Sequence, residues 1–286
     1  MLRHLIGRRA ALAGTAAACA SVVAGHMPST SLKQSADPSY VVCSPTYYPT
    51  TDDDRFKLGL AACERAKALG VPLLLVDASP AHVKAALRDA GADVRDQTFK
   101  GRKGAALREC IHIARGMLPD NGVICFQELE KVEMIGLQRT VANHVITTDC
   151  DVCVPRREDS LFQRTYPIEQ YHSETFANLG LDALGRAIGL PALDWTFGPV
   201  ALRASMAEHW LNFDGELWDA QIVPFIRAFR WASARVASLQ VTYSHPSAMK
   251  KEEEGVALWS EKRLMQLNFL WKHVAVALKE DSLPPP

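Results

Sequence analysis

"VICFQELEK", Val123 to Lys131, sets an unbroken apolar run against two glutamates spaced by one residue, Glu128 and Glu130. Four apolar residues in a row, with no polar alternation, suit a strand covered on both faces. In an open α/β sheet, whatever follows the carboxyl end of such a strand faces the ligand crevice. Two carboxylates there can hold a divalent cation against a diphosphate. A rival pair lies downstream in "TTDCDVCVPRR", Thr147 to Arg157, where Asp149 and Asp151 flank Cys150. The order of the surrounding elements separates the two.

Upstream, strand and helix patterns alternate. "YVVCSP" is a short apolar strand ending at Pro45, and "VPLLLVDA" is a second, continuous one ending at Asp77. Between them "TTDDDRFKLGLAACERAKALG" reads as a helix, with Thr51 as N-cap, acids in the first turn and Gly70 as its stop. "SPAHVKAALRDAG" gives a second helix, opened by Ser79-Pro80 and closed by Gly91. A short strand at 93–95 and the loop "KGRKG" lead to a third helix over 105–117, and Pro119 to Gly122 turns the chain into "VICF". This predicts an α/β fold: a mainly parallel sheet with helices on both faces. The second half is more helical. Patterns predict helices over 168–188, over 218–231 with a kink or interruption at Pro224, and over 258–278, with a late strand in "ARVASLQVTYSHP". No repeat or long linker divides 38–286, which reads as one domain with a helical C-terminal part.

Composition narrows the function classes. The 286 residues carry 32 Lys and Arg against 32 Asp and Glu, so no net field recruits nucleic acid or an anionic membrane. Nor is any stretch long and apolar enough to span a bilayer. The seven cysteines are scattered through apolar stretches and predict buried free thiols; Cys150-x-x-Cys153 is an isolated pair. Residues 1–37 differ from the rest: Arg3, Arg8, Arg9 and Lys33 precede the first acid, Asp37, around an alanine-rich run. An export signal of twin-arginine type, an organelle transit peptide and a disordered extension all fit that segment; the default location without one is the cytoplasm. No Walker loop, G-x-S-x-G or G-x-G-x-x-G occurs.

In element order the chain resembles the GT-A fold of nucleotide-sugar glycosyltransferases, particularly family 2-like enzymes and more loosely mannosylglycerate synthase. "VVCSPTYYP" looks like the first strand and nucleotide loop, with Pro45 and Thr46 at the donor. "LLLVDAS" looks like the second strand, whose terminal acid, here Asp77, meets the nucleoside. "GAALREC" resembles the G-x-x-x-R-N stretch before the metal motif, with Glu109 in place of the asparagine. The resemblance implies metal-binding acids at the end of the next strand, which is "QELEK". It therefore gives the metal to Glu128 and Glu130, with His245 in "VTYSHP" completing the shell, and makes Asp149 to Val152 a later sheet position. Glutamate where the family has aspartate is a departure that leaves open a degenerate member binding nucleotide sugar without turnover.

The chemistry of such a transfer says what else to look for. A departing nucleoside diphosphate needs cations or fixed donors, and oxygen ligands with one imidazole suit manganese or magnesium. Lys103 in the glycine-bearing loop and Arg108 one turn later are candidate phosphate contacts. An inverting enzyme needs a carboxylate base, for which Asp219 is preferred and Asp194 second, with Glu216 and Asp214 nearby; a retaining one needs none. Glu169, His172 and Glu174 form a polar helix face rather than H-E-x-x-H. The expected partners are a nucleotide-diphospho-sugar and an unidentified acceptor.

Overall fold

A computed structural model describes residues 40–280, all within one compact unit, 37–286. The expected targeting segment lies outside the described residues. The chain runs β1 (Tyr40–Thr46), α1 (Asp54–Leu69), β2 (Leu73–Asp77), α2 (Ala81–Asp89), β3 (Asp93–Asp96), α3 (Lys103–Gly116), β4 (Val123–Phe126) and α4 (Val132–Thr147). It continues through β5 (Val152–Arg157), α5 (Asp159–Thr165), α6 (Ile168–Ala187), β6 (Val200–Arg203), α7 (Glu208–Leu211), α8 (Asp219–Ala232), β7 (Val236–Val241), α9 (Ser247–Glu253) and α10 (Ala257–Ala277).

The seven strands form one sheet in the order β3-β2-β1-β4-β6-β5-β7. Strands β3, β2, β1 and β4 are parallel; β6 runs antiparallel to β4 and β5, and β5 pairs parallel with β7. Alternation along β1 shows how the layers form. Tyr40 and Val42 point to one face, with α1, α2 and α4, while Val41 and Cys43 point to the other, with α3, α6, α8 and α10. Both faces are therefore apolar, as the continuous runs of the parallel strands require. The six described cysteines are free and buried, and burial pushes the Cys63 thiol up to about 12.

Local chemistry explains most boundaries. Asp53, not Thr51, caps α1: its side chain accepts from the N–H groups of Arg55 at 2.8 Å and Phe56 at 3.3 Å, and Gly70 closes the helix in the left-handed region at φ +63°. Helix α8 is not interrupted: Pro224 is buried inside a helix that runs on to Ala232 and packs against α7 and α10. Five elements escaped the patterns: α4, the short helices α5, α7 and α9, and the four-residue β6 within "FGPVALR".

Chain order reverses direction between β1 and β4, β2 and β3 lying on one side and β6, β5 and β7 on the other. A crevice opens beyond the carboxyl ends of strands at such a switch point. Thr46, Asp77 and Gln127 stand at those ends. Among the described residues no helix is long and apolar enough to cross a membrane.

Candidate active site

Two cavities meet at the end of β4. The larger, about 460 Å³, is lined by the end of β1 (Ser44, Pro45, Thr46, Tyr47), by the loop before α3 (Lys100, Gly101, Arg102, Lys103), and by Gln97 and Phe126. The smaller, about 280 Å³, lies toward the second half of the chain, between Lys131, Arg157, Tyr166, His245, Lys262 and Arg263. Arg55, Lys103, Glu128 and Glu130 line both. The short loop Gln127 to Lys131 is thus a wall between two chambers, put there by the abrupt end of a four-residue strand.

Six of the expected residues gather here. Pro45 and Thr46 line the larger cavity, His245 the smaller, and Lys103, Glu128 and Glu130 the shared wall. The hydroxyl of Ser44, buried without a hydrogen-bond partner, lines the larger cavity as well. Lys103 is the first residue of α3; its ammonium stands 5.5 Å from the centre of the Trp218 ring and, among the described residues, has no carboxylate within ion-pair distance. Burial lowers its pKa, with Glu128 and Glu130 opposing and Lys131 assisting.

The other expected residues have structural partners. Asp77 is 1% exposed and accepts from the Thr46 hydroxyl at 2.5 Å and from the Ser79 N–H at 2.7 Å. It braces the end of β1 without lining a cavity. Arg108 donates to the carbonyls of Phe213 at 2.8 Å and Gly215 at 2.7 Å and pairs with Glu216 at 2.8 Å, fastening the 213–216 segment to α3. Its guanidinium is spent on that loop rather than aimed at a phosphate. Glu216 also pairs with Arg102 at 2.6 Å.

Neither favoured base opens on a cavity. Asp219 is buried and accepts from the Leu217 N–H at 3.0 Å. Asp194, 4% exposed, holds the guanidinium of Arg157 through two bonds of 2.7 Å, while Arg157 also donates to Glu174 at 2.8 Å and Thr196 at 3.0 Å. Burial alone would raise the Asp194 carboxyl, but the adjacent Arg157 more than offsets it and holds it below the usual carboxylate range. Arg157 in turn lies 3.6 Å from the Phe162 ring centre and forms part of the floor of the smaller cavity. Glu174, read from sequence as part of a polar helix face, is buried in this cluster.

The rival acid pair is a staple at the sheet edge. Arg235 pairs with Asp149 at 2.6 Å, its N–H donates to Asp151 at 2.7 Å, and Arg203 reaches Asp149 at 3.1 Å. This ties the start of β5 to the end of β6 and the start of β7, and neither acid lines either of the two cavities.

A metal would need convergent oxygen and nitrogen donors. Glu128, Glu130 and His245 share the smaller cavity, but among the described residues no three His, Cys, Asp or Glu side chains come close enough to hold one ion. Glu128 pairs instead with Lys131 at 3.1 Å, and Lys131 and Lys103 together outweigh burial to hold its carboxyl below the usual range. His245 stacks on Tyr166 with ring centres 4.2 Å apart, and its Nε2 is buried without a partner. Burial and the cations around it push its pKa down to about 3, so the ring is neutral. As arranged, this donor set does not fit a divalent cation.

Sequence reading missed Arg55, Tyr47 and Arg157 as site residues. Arg55 sits in the first turn of α1 among acids and looks like an ordinary helix start; only the fold turns it toward β4. Tyr47, 64% exposed, offers a ring at the mouth of the larger cavity.

No protein-family model matches the chain, and no curated protein matches its sequence. Solved structures do match its fold. Glucosyl-3-phosphoglycerate synthase from Mycobacterium tuberculosis, in complex with Mn2+, uridine diphosphate and phosphoglyceric acid, is similar over 87% of this chain and 80% of that one, at 11% identity and a TM-score of 0.54. Mannosyl-3-phosphoglycerate synthase from Rubrobacter xylanophilus is similar over 85% and 74%, at 11% identity and a TM-score of 0.55. The architecture is the GT-A fold of nucleotide-sugar transferases, as the order of elements led one to expect.

Proposed function

We propose that the chain transfers a hexosyl group from a nucleotide-diphospho-sugar to an acceptor hydroxyl. One observation carries this reading: two cavities at the switch point of a GT-A sheet share a wall bearing Arg55, Lys103, Glu128 and Glu130. The larger cavity is the donor chamber. Tyr47 is exposed for stacking on a base, and Lys100, Arg102 and Lys103 sit where the diphosphate would lie. The smaller cavity is the acceptor chamber, and the sugar bridges the wall between them.

In the transfer, the bond from the anomeric carbon to the diphosphate oxygen breaks and its electron pair stays with the diphosphate. The acceptor oxygen forms the new bond and loses its proton. Glu130 opens on both chambers and, among the described residues, has no cation within ion-pair distance, so it is our candidate for taking that proton in place of the buried Asp219 and Asp194. The cations of the wall hold the developing negative charge on the leaving group. No step is assigned to a metal, because the candidate ligands do not converge.

A second reading, a nucleotide-sugar-binding protein without turnover, is favoured by that same failure to converge. Incubating the full chain with UDP-, GDP- and ADP-hexoses, and following both binding and release of nucleoside diphosphate, separates the readings. Turnover that falls about a hundredfold or more in Glu130→Gln supports the transferase, given the 10²–10⁴-fold typical of general base catalysis. Tight binding with no release supports the second reading. Binding of none of them refutes both.

A further inference from the structure

The wall of the donor chamber has an unusual charge pattern for a site expected to recruit a divalent ion. Four cations, Arg55, Lys100, Arg102 and Lys103, line it with two carboxylates, Glu128 and Glu130. Of those carboxylates Glu128 is already committed: Lys131 stands 3.1 Å away. Glu128 is also confined in space. A methyl group built on Gly198, which sits at φ +102°, would come within 2.6 and 2.7 Å of its two oxygens, so the carboxylate packs flat against that glycine. The imidazole expected to complete a shell is stacked on Tyr166 instead. A divalent ion entering here would face two lysines at the carboxylate meant to bind it.

Lys103 is placed differently from its neighbours. Arg102 is paired with Glu216 and Arg55 lies 3.6 Å from Glu253, whereas Lys103 makes no ion pair among the described residues, feels Glu128 and Glu130 only at longer range, and opens on both chambers. It begins α3, whose Arg102 cap contributes no side-chain hydrogen bond and whose Gly104 N–H donates to the Glu216 carbonyl at 3.1 Å. An ammonium with no ion-pair partner among the described residues, half-buried at the junction where a diphosphate would lie, is placed to meet that anion.

We infer that Lys103, supported by Lys100 and Arg55 on the same wall, takes the place of a divalent cation, so that this chain binds and releases a nucleoside diphosphate without a metal. The inference rests on the donor reading above, and it sets this chain apart from the manganese-bearing synthase that shares its fold. The bond cleavage is unchanged: the electron pair passes to the diphosphate oxygen, and the ammonium neutralises it without giving up its proton.

The test uses the full-length chain, stripped with a chelator, and isothermal titration with UDP, GDP, ADP and CDP, each with and without added Mn2+ or Mg2+. At least one diphosphate is expected to bind, with an affinity that either metal changes by less than about threefold, under 0.7 kcal/mol. Lys103→Ala should weaken that binding by about tenfold or more, the scale of one charge-assisted contact, and Lys103→Arg should restore most of it. Binding that appears only with a metal and is lost in Glu128→Gln overturns the inference and leaves the donor assignment standing. Unchanged affinity in Lys103→Ala likewise overturns it. If no diphosphate binds under any condition, the donor reading falls and takes the inference with it.

Discussion

Replacing Arg157 by methionine keeps most of the side-chain volume and removes a charge that two buried carboxylates depend on. Asp194 and Glu174 accept its bonds at 2.7 and 2.8 Å, and both are buried, at 4% and 6% exposure. Removing one partner of a buried ion pair costs about 3–5 kcal/mol, and two stranded anions put this variant toward the upper end. Against a total stability of about 5–15 kcal/mol, that loss is large. The pH dependence gives the reasoning its sharper edge. In the native chain Arg157 holds Asp194 below the usual carboxylate range despite burial, so the contribution of that contact is present above the unfolded value of about 4 and fades as pH falls below it. In the variant burial acts alone and raises the carboxyl, so the folded state can take up a proton the unfolded state does not hold at neutral pH. The gap between variant and native chain should therefore narrow as pH falls from about 7 to about 5. Urea unfolding followed by tryptophan fluorescence at both pH values measures it. A loss below about 1 kcal/mol at neutral pH, or a gap that does not narrow, would refute this account of the cluster.

The neutral ring of His245 makes a second pH-dependent contribution, of opposite origin. Its pKa of about 3 in the folded chain lies below the ordinary value, so the unfolded state binds the extra proton and stability falls as pH drops from about 6.5 toward 3; His245→Phe, which keeps a ring on Tyr166, should flatten that fall in urea midpoints. At Gly104 a methyl group would lie 1.9 Å from the Gly215 carbonyl oxygen, so Gly104→Ala must push the 213–216 segment off α3 at a cost of about 1–3 kcal/mol. Gly116→Ala, in the last turn of the same helix with nothing within 4 Å, should gain about 0.5–1 kcal/mol, and thermal melts of the pair would show opposite signs.

The sheet as far as Phe126 was legible because β1, β2 and β4 are apolar runs bounded by a turn or cap, as with Gly70 after α1, while the polar β3 was placed by the element order. β6 was not, since four residues following a Gly-Pro pair carry too little pattern, and pairing with β4 and β5 rather than local propensity makes it a strand. Of the kink or interruption expected at Pro224, the interruption does not occur, because the apolar packing of α8 outweighs the lost hydrogen bond. Within the site, residues at strand ends were readable, because topology alone sends Thr46, Glu128 and Glu130 to the crevice. The acids were not, because a carboxylate's availability depends on partners far along the chain. Asp194 meets an arginine 37 residues away, and Glu216 meets one 108 residues away. Nothing in "ALDWTF" or "DGELW" announces either.

The strand order also shapes the life of the nascent chain. β1, β2, β3 and β4 pair only with one another until β6 emerges, so the wall of the larger cavity up to Lys131 can assemble early while the outer edge of β4 has no neighbour. The floor of the smaller cavity needs Arg157 from β5 and His245 beyond β7, and β5 itself stays unpaired until β6 and β7 emerge. At about 5–20 residues per second, the stretch from Lys131 to Pro246 takes about 6–23 s to be synthesised. For that interval a half-built sheet presents a bare apolar edge, the condition that invites wrong pairing between chains. The sequence of events leaves the half of the crevice that would hold the donor waiting on the half that would hold the acceptor.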